Sequence, residues 1–220
     1  MATTNQGTDQ TILPVYTHNN EHTLFVHIPK CGGSSITQGF RDAGYSVSFL
    51  NEPARTGSPD QKPCNPQHYH RPLVEQHILS NIKPAYAFTI TRDPLQRLIS
   101  EYTWRVPHMN THINKCGYDS HFFQGFQYWA MIQFEMYHKN NYTGDNHIRP
   151  QTDFLMSDVE QFDINNTDTL ACILGINIGR HNVSKSVQPP KTFSANIGFV
   201  KRFYELYLGD YEELGYAKPF

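Results

Sequence analysis

Apolar and polar residues fall along the chain in blocks whose spacing predicts strands alternating with helices. The first twenty or so residues are polar and aperiodic, which predicts a flexible arm or an edge segment over 1–22, ahead of one domain over 23–220. "TLFVHI" (23–28) is a short apolar run of strand formers, and "GSSITQGFRDA" (33–43) has a helical pattern. A second strand is expected in "YSVSFL", followed by the Pro-rich loop "NEPARTGSPDQKPCNP". "PLVEQHILSNI" places Leu73, Val74, His77 and Ile78 at helical spacing behind Pro72. "AYAFTIT" reads as a buried strand, and "DPLQRLISEYTW" as a helix with Asp93 as its N-cap. The aromatic-heavy "SHFFQGFQYWAMIQFEMY" reads as a core helix, "TLACILGI" as a late strand, and "ANIGFVKRFYELYLGDYEEL" as an amphipathic terminal helix ending near Gly215. This order predicts a single α/β domain with a central, mostly parallel sheet flanked by helices.

Hydrophobic residues are 38% of the 220, enough for one substantial core. Charged residues are only 17%, so much of the polarity comes from Asn, Gln, Ser, Thr, Tyr and 12 histidines, a mixture suited to a groove for a hydroxyl-rich ligand. A net charge of -2 argues against a nucleic-acid coat, so any anion site has to be local. Cys31, Cys64, Cys116 and Cys172 are scattered without a CxxC pair, which predicts reduced thiols and no metal centre. No apolar stretch has the length of a membrane span.

The first candidate chemistry lies in "FVHIPKCGGSS". A strand ending at Pro29 and a helix starting near Gly33 leave Lys30, Cys31, Gly32 and Gly33 as a tight turn, whose N–H groups can converge on an anion at the positive end of the helix. Ser34 and Ser35 add hydroxyl donors, and Lys30 a mobile cation. A Walker A loop carries its lysine after the glycines; here the lysine comes first, and no magnesium-binding Asp is evident. In "AFTITRDPLQRLISEY", Arg92 ends a strand and Ser100 lies eight residues on, two helical turns along. Together they suit a second phosphate; the alternative is that Arg92 pairs with a surface carboxylate and Ser100 is solvated.

Taken together, the two segments resemble the paired cofactor motifs of sulfotransferases that use 3'-phosphoadenosine 5'-phosphosulfate (PAPS) and release the bisphosphate PAP. "HIPKCGG" is similar to the HIPKTGG form of carbohydrate sulfotransferases of the heparan sulfate 2-O and chondroitin group, with Cys31 in place of Thr. "DNHIRPQTDFL", "RHNVSKS" and "FYELYLGDYEELGY" resemble later elements of that group in the same order. The resemblance implies a P-loop-like fold and sulfuryl transfer from PAPS to a carbohydrate hydroxyl, with no metal required.

It also implies roles. Lys30 would stabilise the leaving phosphate, with donors from Cys31 to Ser35 around it. Arg92 and Ser100 would hold the 3'-phosphate, and Ser184 and Lys185 would close over the nucleotide. "NPQHYHRP" is similar to a catalytic His-x-His pair; in an extended segment both rings face one side, and His70 is favoured as base with His68 as helper. Glu52 is a rival base, and a zinc site from Cys64, His68 and His70 a remote alternative. His27 is expected to pack at the strand end. His147, Arg149 and Gln151 either line the acceptor groove or brace the fold, and Trp104 and Tyr102 either stack on a sugar or bury. The rival functions are a noncatalytic glycan-binding module and a P-loop-like nucleotide kinase. The partner expected is a carbohydrate, not nucleic acid. As written, the chain reads as soluble and cytoplasmic, or as a Golgi-luminal catalytic domain if an anchor has been removed.

Overall fold

The computed structural model describes residues 15–48, 63–179 and 195–220. Five strands form one sheet in the order β3-β1-β2-β4-β5: β1 is Val15–His18, β2 Glu21–Val26, β3 Ser46–Ser48, β4 Tyr86–Thr91 and β5 Glu160–Asp163. β2, β4 and β5 run parallel, with Phe25 opposite Phe88 and Ile90 opposite Phe162; β1 pairs antiparallel with both β2 and β3. The sheet is therefore mixed, and its parallel half carries the loops described below. Seven helices accompany it in the described residues: α1 Gly33–Asp42, α2 Arg71–Val74 continuing as a π-helical turn to Leu79, α3 Pro94–Arg105, α4 His108–Cys116, α5 Ser120–Lys139, α6 Thr167–Leu174 and α7 Ile197–Leu214.

Two expectations change. Val15–His18, placed in the arm, is an inner strand, with Tyr16 fully buried, stacked on Phe40 at 3.9 Å and hydrogen-bonded to Thr37. Asn19 and Asn20, both at positive φ (48° and 65°), make the two-residue turn into β2 that asparagine tolerates best among residues with a side chain. "TLACILGI" falls largely in α6 instead of a strand: its apolar run is too short for period to decide, and within α6 only Leu170 is buried, while Gly175 at φ 63° supplies the left-handed stop. β5 has little strand signal, since Phe162 is the only apolar residue in "EQFD".

Two apolar cores result. One surrounds the sheet, with Phe25, Phe40, Phe88 and Ile90 at its centre. The other is largely aromatic and joins α3, α5 and α7 through Tyr102, Phe122, Phe126, Phe199 and Phe203. Among the described residues no helix is long and apolar enough to cross a membrane.

Candidate active site

The chain leaves β2 through His27, Ile28 and Pro29 and turns into α1 by way of two left-handed residues, Lys30 (φ 68°) and Gly32 (φ 87°). For Lys30 this is an uncommon backbone state, of the kind that clusters at functional sites. The two glycines answer different demands. Gly32 supplies the left-handed N-cap, whereas a Cβ on Gly33 would lie 2.2 Å from His27 Nε2, so the buried His27 ring occupies the space a side chain would need. Helical hydrogen bonding begins with Ser35 N and Ile36 N donating to the Gly32 carbonyl, at 3.0 and 3.2 Å. The N–H groups of Gly32, Gly33 and Ser34 thus come before the first helical bond, at a helix start with no side-chain cap. Cys31 departs from its expected place: its N–H donates to the Ile28 carbonyl and its fully buried thiol faces Gln151 Oε1 at 3.5 Å. Burial pushes that thiol up to about 11, so it stays protonated.

Arg92 follows β4, the parallel neighbour of β2, and its guanidinium donates to the Lys30 carbonyl at 3.3 Å. The two cations expected to hold the donor therefore lie at adjacent strand ends. Burial lowers the pKa of each, and among the described residues neither has a carboxylate within ion-pair distance. The alternative of a surface salt bridge for Arg92 is thus absent from the described residues. Ser100 is half-buried on α3, and its carbonyl accepts from Thr103 Oγ1.

Two side chains clamp these loops together. Arg97 on α3, 2% exposed, donates to the carbonyls of Pro29 (2.9 Å), Arg149 (2.9 Å) and His147 (3.0 Å). Gln151, 0% exposed, accepts from Arg92 N through Oε1 at 3.0 Å and donates through Nε2 to the Arg92 carbonyl at 2.7 Å. Its own N–H is held by Asp210 of α7 at 2.9 Å.

Beside Lys30 lies a cluster of imidazoles. His68 Nδ1 meets Asp145 Oδ2 at 2.7 Å, and the other oxygen of Asp145 accepts from Asn65 N at 2.6 Å. His147 Nδ1 meets Glu101 Oε2 at 2.7 Å, while Glu101 Oε1 accepts from Arg105 Nε at 2.7 Å. The rings of His68 and His147 stand edge to face at 4.6 Å, and His27 is 5.3 Å from His68. Trp104, 55% exposed, stacks on His147 at 5.5 Å, with Lys30 Nζ 4.8 Å from its ring centroid. Burial would raise the carboxyls of Asp145 and Glu101. Their histidine partners, with Arg105 for Glu101, outweigh it and hold both below the usual carboxylate range. Burial lowers His147, and carries His27 well below the ordinary imidazole value, so His27 is neutral.

The extended segment expected to carry both His68 and His70 is present only in part: Pro66–His68 is a 3-10 turn capped by Asn65, whereas Tyr69 and His70 are extended and His70 is the N-cap of α2. The two rings therefore enter different surroundings: His70 is buried against Tyr142 and Phe154, and burial drops its pKa to about 4. Arg149 and Gln151 take the bracing role of the two left open. Every guanidinium nitrogen of Arg149 is engaged, by Asn146, Asp153 and the Asn141 carbonyl. His147 alone of that trio joins the imidazole cluster. Cys64 lies by the His68 carbonyl and Asn146 and does not join the histidine rings. Tyr102 is buried in the aromatic core, whereas Trp104 is not. Glu52, Ser184 and Lys185 lie outside the described residues.

The sequence matches the sulfotransferase family over residues 14–196. The chain belongs to that family. Comparison with curated proteins and with solved structures gives no match.

Several residues of this candidate site in the sulfotransferase carry no local sequence signal of their pairing. Glu101 sits next to Ser100 in the quoted "TRDPLQRLISEY", and its helical spacing with Arg105 was visible, but not its pairing with His147. Asp145 opens the quoted "DNHIRPQ". It and Asn146 are left-handed (φ 60° and 63°) after the equally left-handed Gly144, a bend that aims its carboxylate at His68. "GDN" is a residue triplet that tolerates this state, and was the available clue.

Proposed function

We propose that this sulfotransferase moves the sulfuryl group of PAPS to a hydroxyl of a carbohydrate, with His68 as the base. The observation that carries the reading is the row of contacts from Lys30 through Trp104 and His147 to His68, which sets a cation at an uncapped helix start beside a carboxylate-backed imidazole.

The residues fit an anionic nucleotide donor: two half-buried cations without a carboxylate partner among the described residues, and three N–H groups ahead of the first bonds of α1. Lys30 and the N–H groups of Gly32, Gly33 and Ser34 would hold the 5' side. Arg92, with Ser100, would hold the 3'-phosphate. When bound, PAPS supplies an activated sulfuryl group and a stable phosphate leaving group. The ammonium of Lys30, already partly desolvated, stabilises negative charge developing on oxygen more than a solvated lysine would. Asp145 fixes the His68 tautomer with Nδ1–H donated, leaving Nε2 to accept a hydroxyl proton, and its charge stabilises the imidazolium that forms. Trp104, 55% exposed with His147, Lys30 and Arg105 against its ring, offers aromatic surface to a sugar beside the site, which is what favours a carbohydrate acceptor.

The test offers labelled PAPS with a panel of polysaccharides, oligosaccharides and small alcohols, and compares two variants. His68→Ala is expected to lower turnover by ~10²–10⁴-fold with PAP affinity unchanged. His70→Ala is expected to lower stability and leave the turnover of the folded protein largely intact. Loss of turnover in His70→Ala with retention in His68→Ala would overturn the assignment of the base. Label passing only to small alcohols would overturn the carbohydrate acceptor.

A further inference from the structure

The corner between α4 and α5 gathers side chains that the active site does not use. His112 and Cys116 lie one helical turn apart on α4, so both project from the same face. The chain then reverses through Gly117, at φ 71°, and Asp119 caps α5, its Oδ1 accepting from Phe122 N at 2.9 Å. The same oxygen meets His112 Nε2 at 2.9 Å. One ligand atom each from His112, Cys116 and Asp119 lies within 4.8 Å of the others. The exposed His121, in the first turn of α5, brings its ring to 5.3 Å from that of His112.

We propose that His112, Cys116, Asp119 and His121 form a zinc-type metal site that ties α4 to the start of α5. The proposal does not depend on the reading of the active site. Two imidazoles, a thiolate and a carboxylate are the donor set of a borderline-soft ion that accepts four ligands; calcium and magnesium would call for oxygen donors throughout. The thiolate and the carboxylate together offset the charge of a divalent ion. Binding takes Cys116 as its thiolate, the proton passing to solvent, and His112 through Nε2, with the ring in its Nδ1–H tautomer.

Packing makes such a tie consequential. α4 is largely exposed, and its apolar contribution to the aromatic core is Met109, buried, and Ile113, partly buried. Tyr118, between Cys116 and Asp119, packs on Phe122, so a metal at this corner fixes the chain reversal against the aromatic core. Read along the sequence, "HINKCGYDSH" lacks the paired cysteines that signal zinc, because the donors are assembled by a helix face and a reversal of the chain.

Titration of the reduced, metal-free full chain with Co²⁺ tests the site, with Zn²⁺ competition giving the affinity. The expected result is one equivalent of Co²⁺ with tetrahedral visible bands and a thiolate-to-cobalt charge-transfer band. Cys116→Ser should abolish the charge-transfer band, and His112→Ala should weaken Zn²⁺ binding by at least the ~10–100-fold typical of losing even an outer partner. Circular dichroism of both variants checks that the fold is kept. His68, Asp145 and His147 also place ligand atoms within 4.8 Å of one another, so His147→Ala serves as the comparison variant and should leave the cobalt spectrum unchanged. Absence of the charge-transfer band, its survival in Cys116→Ser, or its loss in His147→Ala would each overturn the proposal.

Discussion

Two junctions of this protein share a topology and differ in electrostatics. At the ends of the parallel neighbours β2 and β4 the chain passes a cation, Lys30 or Arg92, and then starts a helix. At the first junction the helix start has no side-chain cap, because Gly32 offers only backbone. At the second, Asp93 accepts from Gln96 N at 2.8 Å and Pro94 removes one donor outright, so the positive end of α3 is already matched by a carboxylate. The same strand-to-helix turn is thus open to an anion at α1 and closed at α3. What is left at the second junction is the guanidinium of Arg92, which donates to the Lys30 carbonyl while Gln151 pins the Arg92 backbone. On the proposed function, the first junction meets charge that changes during reaction and the second grips charge that does not.

The largest effect expected from breaking this contrast is at Lys30. Lys30→Ala should lower transfer from labelled PAPS by ~10²–10³-fold, as for other groups that stabilise developing charge. Arg92→Ala should instead weaken PAP binding by ~10–100-fold, the worth of a charged hydrogen bond, with turnover at saturating donor nearly unchanged; calorimetry and saturation kinetics separate the two. Gly33→Ala forces a methyl group onto the His27 ring and should cost ~1–3 kcal/mol in urea unfolding. Asp93→Asn keeps a capping oxygen but removes the charge at α3. It should sharpen the comparison by tightening PAP binding ~2–5-fold, the size of a helix-end charge effect.

A separate effect, on stability alone, is a pH dependence at His70. Folded, its imidazole is held near pKa 4 by burial, whereas the unfolded chain takes up the proton near ~6.5. The unfolded state binds more protons between these values, so stability is full above ~6.5 and declines as pH falls toward 4. Denaturant titrations across that window should show the slope in the parent and a shallower one in His70→Gln.

The strand ends and both cation loops were legible because their chemistry is contiguous: a handful of neighbouring residues defines each turn. β2, β4, α1, α3, α5 and α7 followed from period and caps for the same reason. What escaped was assembled across distance. His147 finds Glu101 46 positions away, His68 finds Asp145 77 away, and Arg97 reaches Pro29 over 68. No local period reports such pairings. The common facing expected of His68 and His70 rested on an extended segment, where Asn65 and Pro66 start a 3-10 turn that carries His68. That turn chemistry was present in "NPQHYH".

The His27 ring touches the Gly33 backbone on one edge and approaches His68 on another. On the proposed function, donor cradle and proton acceptor are therefore separated by a wall a single imidazole thick. The gauge between them would be set by one uncharged spacer and not by the lengths of the two loops, so that variation in loop length elsewhere in the protein would leave the reacting distance untouched.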